Sequence, residues 1–316
     1  MKEKSKILVT DDVHTNLLEG LAILGKVDYQ PTISYQSVQD IISSYHGLII
    51  NSKIRVDDNF LNIAENLKWV GRLGSGLDIV DLEAAKMHNV HVINSPEGNA
   101  NAVGEHALGM LLSLLNHIPE SDKMVRQLSP WNRESVRGME LDGKSVGIIG
   151  CGHTGSAFAR KLNGFDIQLY IFDKYKKDIP SLHPNQIITS QEQILAQCDV
   201  VSLHLPLTDE TNNMVDKNFL AAMKPTAILI NTSRGSIVKL EQLCNVLENR
   251  QLGGACLDVF EEEKVSKYTS DDVFTMRRLS RFSNVVMTPH VAGWTVESKR
   301  KIADVLLKKI IYVASN

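Results

Sequence analysis

The chain has 316 residues, 43% hydrophobic and 22% charged, which suits a globular protein of about two domains. Its net charge of −3 points to neither nucleic acid nor an anionic membrane surface as a partner. The four cysteines, Cys151, Cys198, Cys244 and Cys256, are widely spaced with no C-x-x-C pair, so no metal site is expected and a reduced compartment is the simpler reading. No apolar run reaches the length of a membrane span or of a signal peptide, and a cytoplasmic protein is expected.

Short apolar strands alternate with amphipathic helices, the pattern of parallel sheets covered by helices. In the first part, strands are expected at Lys6–Thr10, Lys26–Tyr29, Gly47–Asn51, Trp69–Leu73 and His91–Asn94, with helices such as Asp57–Asn66 and Leu82–His88 between them. The mostly apolar stretch Asn101–Ile118 reads as a buried helix. Further strands are expected at Ser145–Gly150, Ile167–Phe172, Val200–Leu205, Ala227–Thr232, Gly254–Val259 and Asn284–Thr288. The last helix, roughly Val296–Val313, has no obvious place in the second part and is expected to return to the first. The expected division is residues 1–100 plus 293–316 as a discontinuous substrate domain and 101–292 as a nucleotide-binding domain.

Within the second part, Gly150-Cys151-Gly152-His153-Thr154-Gly155 lies between an apolar strand and a helix-like segment. Gly150 permits a tight turn, Gly152 a close backbone approach to a pyrophosphate, and Gly155 close helix–strand packing. The following helix end offers free N–H groups and a positive dipole end to the anion. Asp173, 23 positions beyond Gly150, closes the next strand at close to the ~20-residue spacing of a dinucleotide site. Its carboxylate can accept from ribose hydroxyls and would repel a 2′-phosphate, which favours NAD over NADP.

Three polar residues stand at or past later strand ends, where ligands of open α/β sheets bind. Arg234 can grip a carboxylate with two hydrogen bonds, although a lone arginine serves as readily in a surface ion pair. His290 can exchange a proton with an alcohol or carbonyl, but it is one of ten histidines. Glu263 could hold an imidazole in one tautomer, yet it is the third of three consecutive glutamates and spacing alone does not single it out.

The segments Thr232-Ser233-Arg234-Gly235, Leu257-Asp258-Val259-Phe260 and Thr288-Pro289-His290-Val291-Ala292-Gly293 together resemble the D-2-hydroxyacid dehydrogenase family. The stretch Val70-Gly71-Arg72-Leu73-Gly74-Ser75-Gly76-Leu77-Asp78-Ile79-Val80-Asp81-Leu82-Glu83-Ala84-Ala85 is similar to its D-3-phosphoglycerate dehydrogenase branch. The resemblance runs over nearly the whole chain, with the motifs in the family's order. It implies two Rossmann-like domains, a nucleotide-binding one and a discontinuous flavodoxin-like substrate one. Arg234 then binds the substrate carboxylate, Glu263 supports the catalytic histidine, and His290 is the acid/base. The backbone at Ser75 and Gly76 would also hold the carboxylate, and Asn99 would line the substrate side. For NAD the resemblance adds His153, Thr154, His204, Leu205, Pro206, Thr232, Ser233, Asp258 and Gly293. It also implies a homodimer, formed through the nucleotide domain and the helix beginning near Asn101.

The chain departs from that pattern in several places. Asn51 stands where phosphoglycerate dehydrogenases often carry arginine, leaving Arg72 and Lys53 as cations for a substrate phosphate. Lys264 replaces the usual proline after the glutamate. His153-Thr154 replaces a common Arg-Ile pair. The charged stretch Val265–Phe282 is long for the family and is expected to be mobile or to cover the cleft. A chain ending near residue 316 is expected to lack a regulatory domain. The expected activity is hydride transfer between NAD and C2 of a D-2-hydroxy acid, with 3-phosphoglycerate favoured. A glyoxylate/hydroxypyruvate or D-lactate-type reductase is the rival within the class. An NAD-sensing corepressor-like binding protein is the rival outside it.

Overall fold

The computed structural model describes residues 5–315. In chain order the elements are β1 (Ser5–Val9), α1 (Thr15–Leu24), β2 (Gly25–Tyr29), α2 (Tyr35–Ile41), β3 (Gly47–Ile50), α3 (Asp58–Ile63), β4 (Trp69–Arg72), α4 (Leu82–Met87) and β5 (His91–Asn94). The long α5 (Pro96–Leu115) follows, then α6 (Ile118–Arg126), β6 (Ser145–Ile149), α7 (His153–Lys161), β7 (Gln168–Phe172) and β8 (Gln186–Ile188). The chain continues with α8 (Gln191–Gln197), β9 (Val200–Leu203), α9 (Lys217–Ala222), β10 (Ile228–Asn231) and α10 (Leu240–Glu248). It ends with β11 (Gly254–Leu257), α11 (Ser270–Leu279), β12 (Val285–Met287) and α12 (Val296–Ser315). Two compact units result, one running to Ala100 and resuming at Trp294, the other spanning Asn101–Gly293.

Among the described residues, the first unit carries a five-stranded parallel sheet in the order β2-β1-β3-β4-β5, a flavodoxin-like order. Its inner strands β1, β3 and β4 bury apolar residues on both faces, as a sheet covered on both sides requires. Leu8, Leu48, Ile50 and Val70 pack with Phe60, Leu61 and Ala84 on one face. Ile7, Val9, Ile49 and Trp69 pack with Leu17 and Leu21 of α1 and Leu306 and Ile310 of α12 on the other. Gly20 admits α12 onto α1, since a Cβ there would sit 2.1 Å from a Leu307 methyl.

The second unit carries a seven-stranded parallel sheet in the order β12-β11-β10-β9-β6-β7-β8. Counted from β6, this is the doubly wound dinucleotide order, with its reversal between β6 and β9. One face packs Val146, Ile148, Ile171, Ile228 and Ile230 with Met110, Leu111 and Leu114 of α5 and Phe158 of α7. The other packs Val201, Leu203, Leu229 and Leu257 with Ile194, Phe219 and Leu243 of α8, α9 and α10. No helix among the described residues is long and apolar enough to cross a membrane.

The structure corrects the sequence expectations locally. Most strands stop one or two residues earlier than expected, as where β6 ends at Ile149, β9 at Leu203, β10 at Asn231 and β11 at Leu257. The long helix starts at Pro96, and α6 follows it with no buried residue. β8 is a short edge strand paired only with β7. The stretch expected as a loop after Lys264 contains α11, started by a reciprocal Thr269–Asp272 capping box and tied to α10 by Arg278, which donates to Glu248 at 2.9 and 2.7 Å.

Candidate active site

The glycine turn sits at the carboxyl end of β6, beside the point where the strand order reverses. Gly150 has φ +92°, which favours glycine, and a Cβ there would lie 2.3 Å from the His204 carbonyl oxygen. A Cβ on Gly155 would lie 2.0 Å from the Gly150 oxygen, so the third glycine seats α7 against the turn. Gly152 differs: a Cβ there meets nothing within 4 Å. It is the N-cap of α7 with no side-chain cap, so the first N–H groups of that helix are available to an anion. His153 is exposed and Thr154 half-buried beside them.

Asp173 follows β7 and is clamped by backbone. Its Oδ2 accepts the Cys151 N–H at 2.8 Å, and its Oδ1 accepts the N–H groups of Tyr175 at 3.0 Å and Lys176 at 2.8 Å. Burial pushes its pKa up, but these three bonds and the Lys176 charge outweigh burial and hold the carboxyl below its ordinary range. The acid thereby ties the glycine turn to the next loop while staying ionised.

On the other side of β6, β9 delivers His204, Leu205 and Pro206. The His204 ring is buried against Phe158, centroids 5.4 Å apart, with Nε2 and the Ser202 hydroxyl 2.9 Å apart. Burial drives its pKa down to about 3, so the ring is neutral. Its Nδ1 and the Thr232 hydroxyl are buried atoms without a hydrogen-bond partner among the described residues, an uncommon condition in an interior. Ser233 works as a staple: its hydroxyl donates to Leu203 O at 2.7 Å and accepts the Leu205 N–H at 3.1 Å. Open space over Gly152, an uncapped helix end, an ionised Asp173 and two orphaned polar atoms fit a bound dinucleotide.

Arg234, Glu263 and His290 all belong to this second unit. Asn231, fully buried, shapes the arginine loop by donating to Arg234 O at 2.9 Å and accepting the Ser233 N–H at 3.0 Å. Arg234 is half-buried and donates to Ser233 O at 2.7 Å. His290 Nδ1 and Glu263 Oε2 are 2.7 Å apart, with side chains 46% and 39% exposed, so the pair is open to a reactant. Partial burial raises the Glu263 pKa, but the His290 bond and charge, the Phe260 N–H and the Arg234 charge more than offset it. The result is an ionised carboxylate that fixes one imidazole nitrogen and leaves Nε2 to exchange a proton.

Asp258 has a part that sequence reasoning missed. It is fully buried, and its carboxylate accepts the Thr288 hydroxyl at 2.6 Å and the N–H groups of Val291 and Ala292, each at 2.9 Å. Its backbone oxygen accepts the His290 N–H at 2.7 Å. It thus anchors both flanks of His290, whose φ is +54°. Gly293, half-buried, closes this loop. The partners lie 30 or more residues away, so no local pattern announces the role.

In the first unit, Arg72, Ser75 and Asn99 lie in one loop network, and Gly76 directly follows Ser75. The Ser75 hydroxyl donates to Asn99 Oδ1 at 2.8 Å, and Asn94 Nδ2 donates to Ser75 O at 2.7 Å. Gly74, φ +118°, exchanges bonds with Ser95 through its N–H and carbonyl. Arg72 donates to Leu73 O at 2.7 Å and lies against Gly74, where a Cβ would sit 2.1 Å from its NH1 atom. Asn51 is held through its N–H on Asp11 Oδ2 at 3.0 Å. Lys53 is exposed and donates to Pro31 O at 2.8 Å, outside this network. Among the described residues, no group of three or more His, Cys, Asp or Glu is arranged to hold a metal.

Residues 108–292 match the family described as D-isomer specific 2-hydroxyacid dehydrogenase, NAD binding domain. The chain is 34% identical over 299 residues to a D-3-phosphoglycerate dehydrogenase of Synechocystis sp., covering 95% of this chain and 52% of that protein. It is also 34% identical over 263 residues to a glyoxylate reductase of Thermofilum pendens, covering 82% and 75%. The chain therefore spans about half the length of the first relative and three quarters of the second. The crystal structure of the TT0316 protein from Thermus thermophilus is similar with a TM-score of 0.84 and 28% identity, over 98% of this chain and 97% of that one. The chain belongs to the D-isomer specific 2-hydroxyacid dehydrogenase family and is, by its second unit, an NAD-dependent enzyme of that family.

Proposed function

We propose that the chain oxidises and reduces the C2 carbon of a D-2-hydroxy acid and its 2-keto acid, with 3-phosphoglycerate as the preferred hydroxy acid. The observation that carries the reading is the His290–Glu263 pair, 2.7 Å apart, on a loop anchored by Asp258. When bound, NAD would supply the hydride chemistry. In oxidation, neutral His290 takes the hydroxyl proton; in reduction, the imidazolium returns it, stabilised by Glu263. Arg234 is assigned the substrate carboxylate, together with the backbone of Ser75 and Gly76. Of the other unit-one residues, Asn51, Lys53 and Arg72 are assigned to the distal group of the substrate, and Asn99 to the lining of the substrate side. The second unit is read as the NAD-binding domain and the first as the substrate domain.

The phosphoglycerate preference is supported by the sequence around Arg72 and by the name of the Synechocystis relative. A glyoxylate/hydroxypyruvate reductase is the second reading, supported by Asn51 in place of an arginine and by the Thermofilum relative. A panel of 2-keto and 2-hydroxy acids followed by NADH absorbance separates them. Turnover of 3-phosphohydroxypyruvate well above glyoxylate supports the first; turnover of glyoxylate alone overturns it.

The chain is also proposed to form a homodimer through its second unit. α6 buries none of its residues, and Ile118, Val125, Leu128, Trp131 and Met139 in and after it are exposed, an apolar surface of the kind that marks an interaction site. A monomer in sedimentation at micromolar concentration would remove this assignment.

A further inference from the structure

Asp173 is not the only carboxylate at the ribose end of the nucleotide site. β7 and β9 flank β6 in the sheet, so the loops leaving their carboxyl ends stand on either side of the glycine turn. Those loops are joined. Glu210, beyond β9, accepts from Lys174 Nζ at 2.7 Å and from the Tyr175 hydroxyl at 2.5 Å, both on Oε2. Lys174 also lies 5.4 Å from the Tyr175 ring centroid. The bridge is exposed, with Lys174 and Glu210 side chains 58% and 54% accessible, so burial does not force it.

Resting on the NAD assignment, we infer that Glu210 is a cofactor-specificity residue, excluding a 2′-phosphate by holding Lys174 in this bridge. A dinucleotide whose ribose meets Asp173 presents its 2′ position to the residues that follow that acid. A cation there is what a 2′-phosphate needs, and Lys174 is the first candidate. Glu210 compensates that cation. Of the other cations in this loop, Lys176 donates to Cys151 O at 3.3 Å, back toward the turn. Asp178 and Asp209 add further negative charge to the two loops, and Lys177 is the one lysine left, three residues beyond Lys174. A 2′-phosphate dianion would thus meet Asp173 and Glu210 with Lys174 already paired. Asp173 stands on the same side with its oxygens accepting three backbone N–H groups, and Glu210 adds a second carboxylate beside Lys174.

The test is calorimetric titration of NAD and of NADP into the purified wild type, Glu210→Gln, Lys174→Met and the double variant, with thermal melts as the fold control. Glu210→Gln is expected to tighten NADP binding about fivefold, the upper range of one exposed ion pair, while NAD affinity stays within about twofold. Introduced into Lys174→Met, the same change is expected to gain less than about twofold. Unchanged NADP affinity in Glu210→Gln, or an equal gain with and without Lys174, overturns the inference. A wild-type chain that binds neither dinucleotide would overturn the cofactor assignment, and the role of Glu210 with it.

Discussion

Both units are parallel sheets with a helix after the first strand, yet their first turns are opposite in character. In the first unit β1 runs into Thr10-Asp11-Asp12-Val13-His14. Asp11 accepts from the Thr10 hydroxyl and the Asn51 N–H, and α1 is capped by His14, whose Nδ1 accepts the Asn16 N–H. Carboxylates stand where an anion would dock, and the helix end has its own acceptor. In the second unit the same position is Gly150-Cys151-Gly152, the helix has no side-chain cap, and the carboxylate is set one strand away at Asp173. A parallel sheet supplies the location for a ligand, and the composition of the turn decides whether a phosphate can use it.

Three substitutions test this difference between the turns. Gly150→Ala places a side chain at φ +92° against the His204 carbonyl. It should cost roughly 2–3 kcal/mol or more in denaturant unfolding and abolish NAD binding; wild-type stability would mean the turn is less constrained than its geometry states. His204, behind the turn, has its pKa driven from 6.5 to about 3 by burial. A depressed folded pKa means the unfolded chain binds more protons, so this contribution is complete above about 6.5 and is lost as the pH falls toward 3. The loss should be on the order of a few kcal/mol. His204→Phe keeps a ring beside Phe158 and should flatten that slope in acid melts; an unaltered slope would assign acid sensitivity elsewhere. Gly152→Ala adds a Cβ that meets nothing within 4 Å, so stability in melts should fall by no more than the roughly 1 kcal/mol of a poorer N-cap while NAD affinity falls about tenfold or more. Unchanged affinity would move the pyrophosphate away from the turn.

How much of this could be read beforehand follows the same physics. Strands such as Leu48-Ile49-Ile50 and Leu229-Ile230 announce themselves because burial on both faces demands unbroken apolar runs. β8 stays hidden because an edge strand with half-exposed Ile187 and Ile188 has no such demand. α11 hides because Leu279 is its one buried residue, although Thr269-x-x-Asp272 is a capping-box pattern that could have marked its start. The glycine turn is legible since its constraints are local. Arg234, Glu263 and His290 become legible only as motifs, because what joins them is the tertiary return of β11 and β12 to neighbouring positions in one sheet. Asp258 and Glu210 are beyond local reading altogether: each acts through partners on other strand ends, and a lone acid in a sequence does not name its donors.

On the proposed assignment His290, oriented by Glu263, moves the proton while the dinucleotide is held by other residues. Single-turnover oxidation of NADH by a 2-keto acid, measured in the wild type and in His290→Asn together with the NADH dissociation constant of each, tests it directly. The rate in His290→Asn should fall about a hundredfold or more with NADH affinity essentially retained. An undiminished rate in His290→Asn would contradict it.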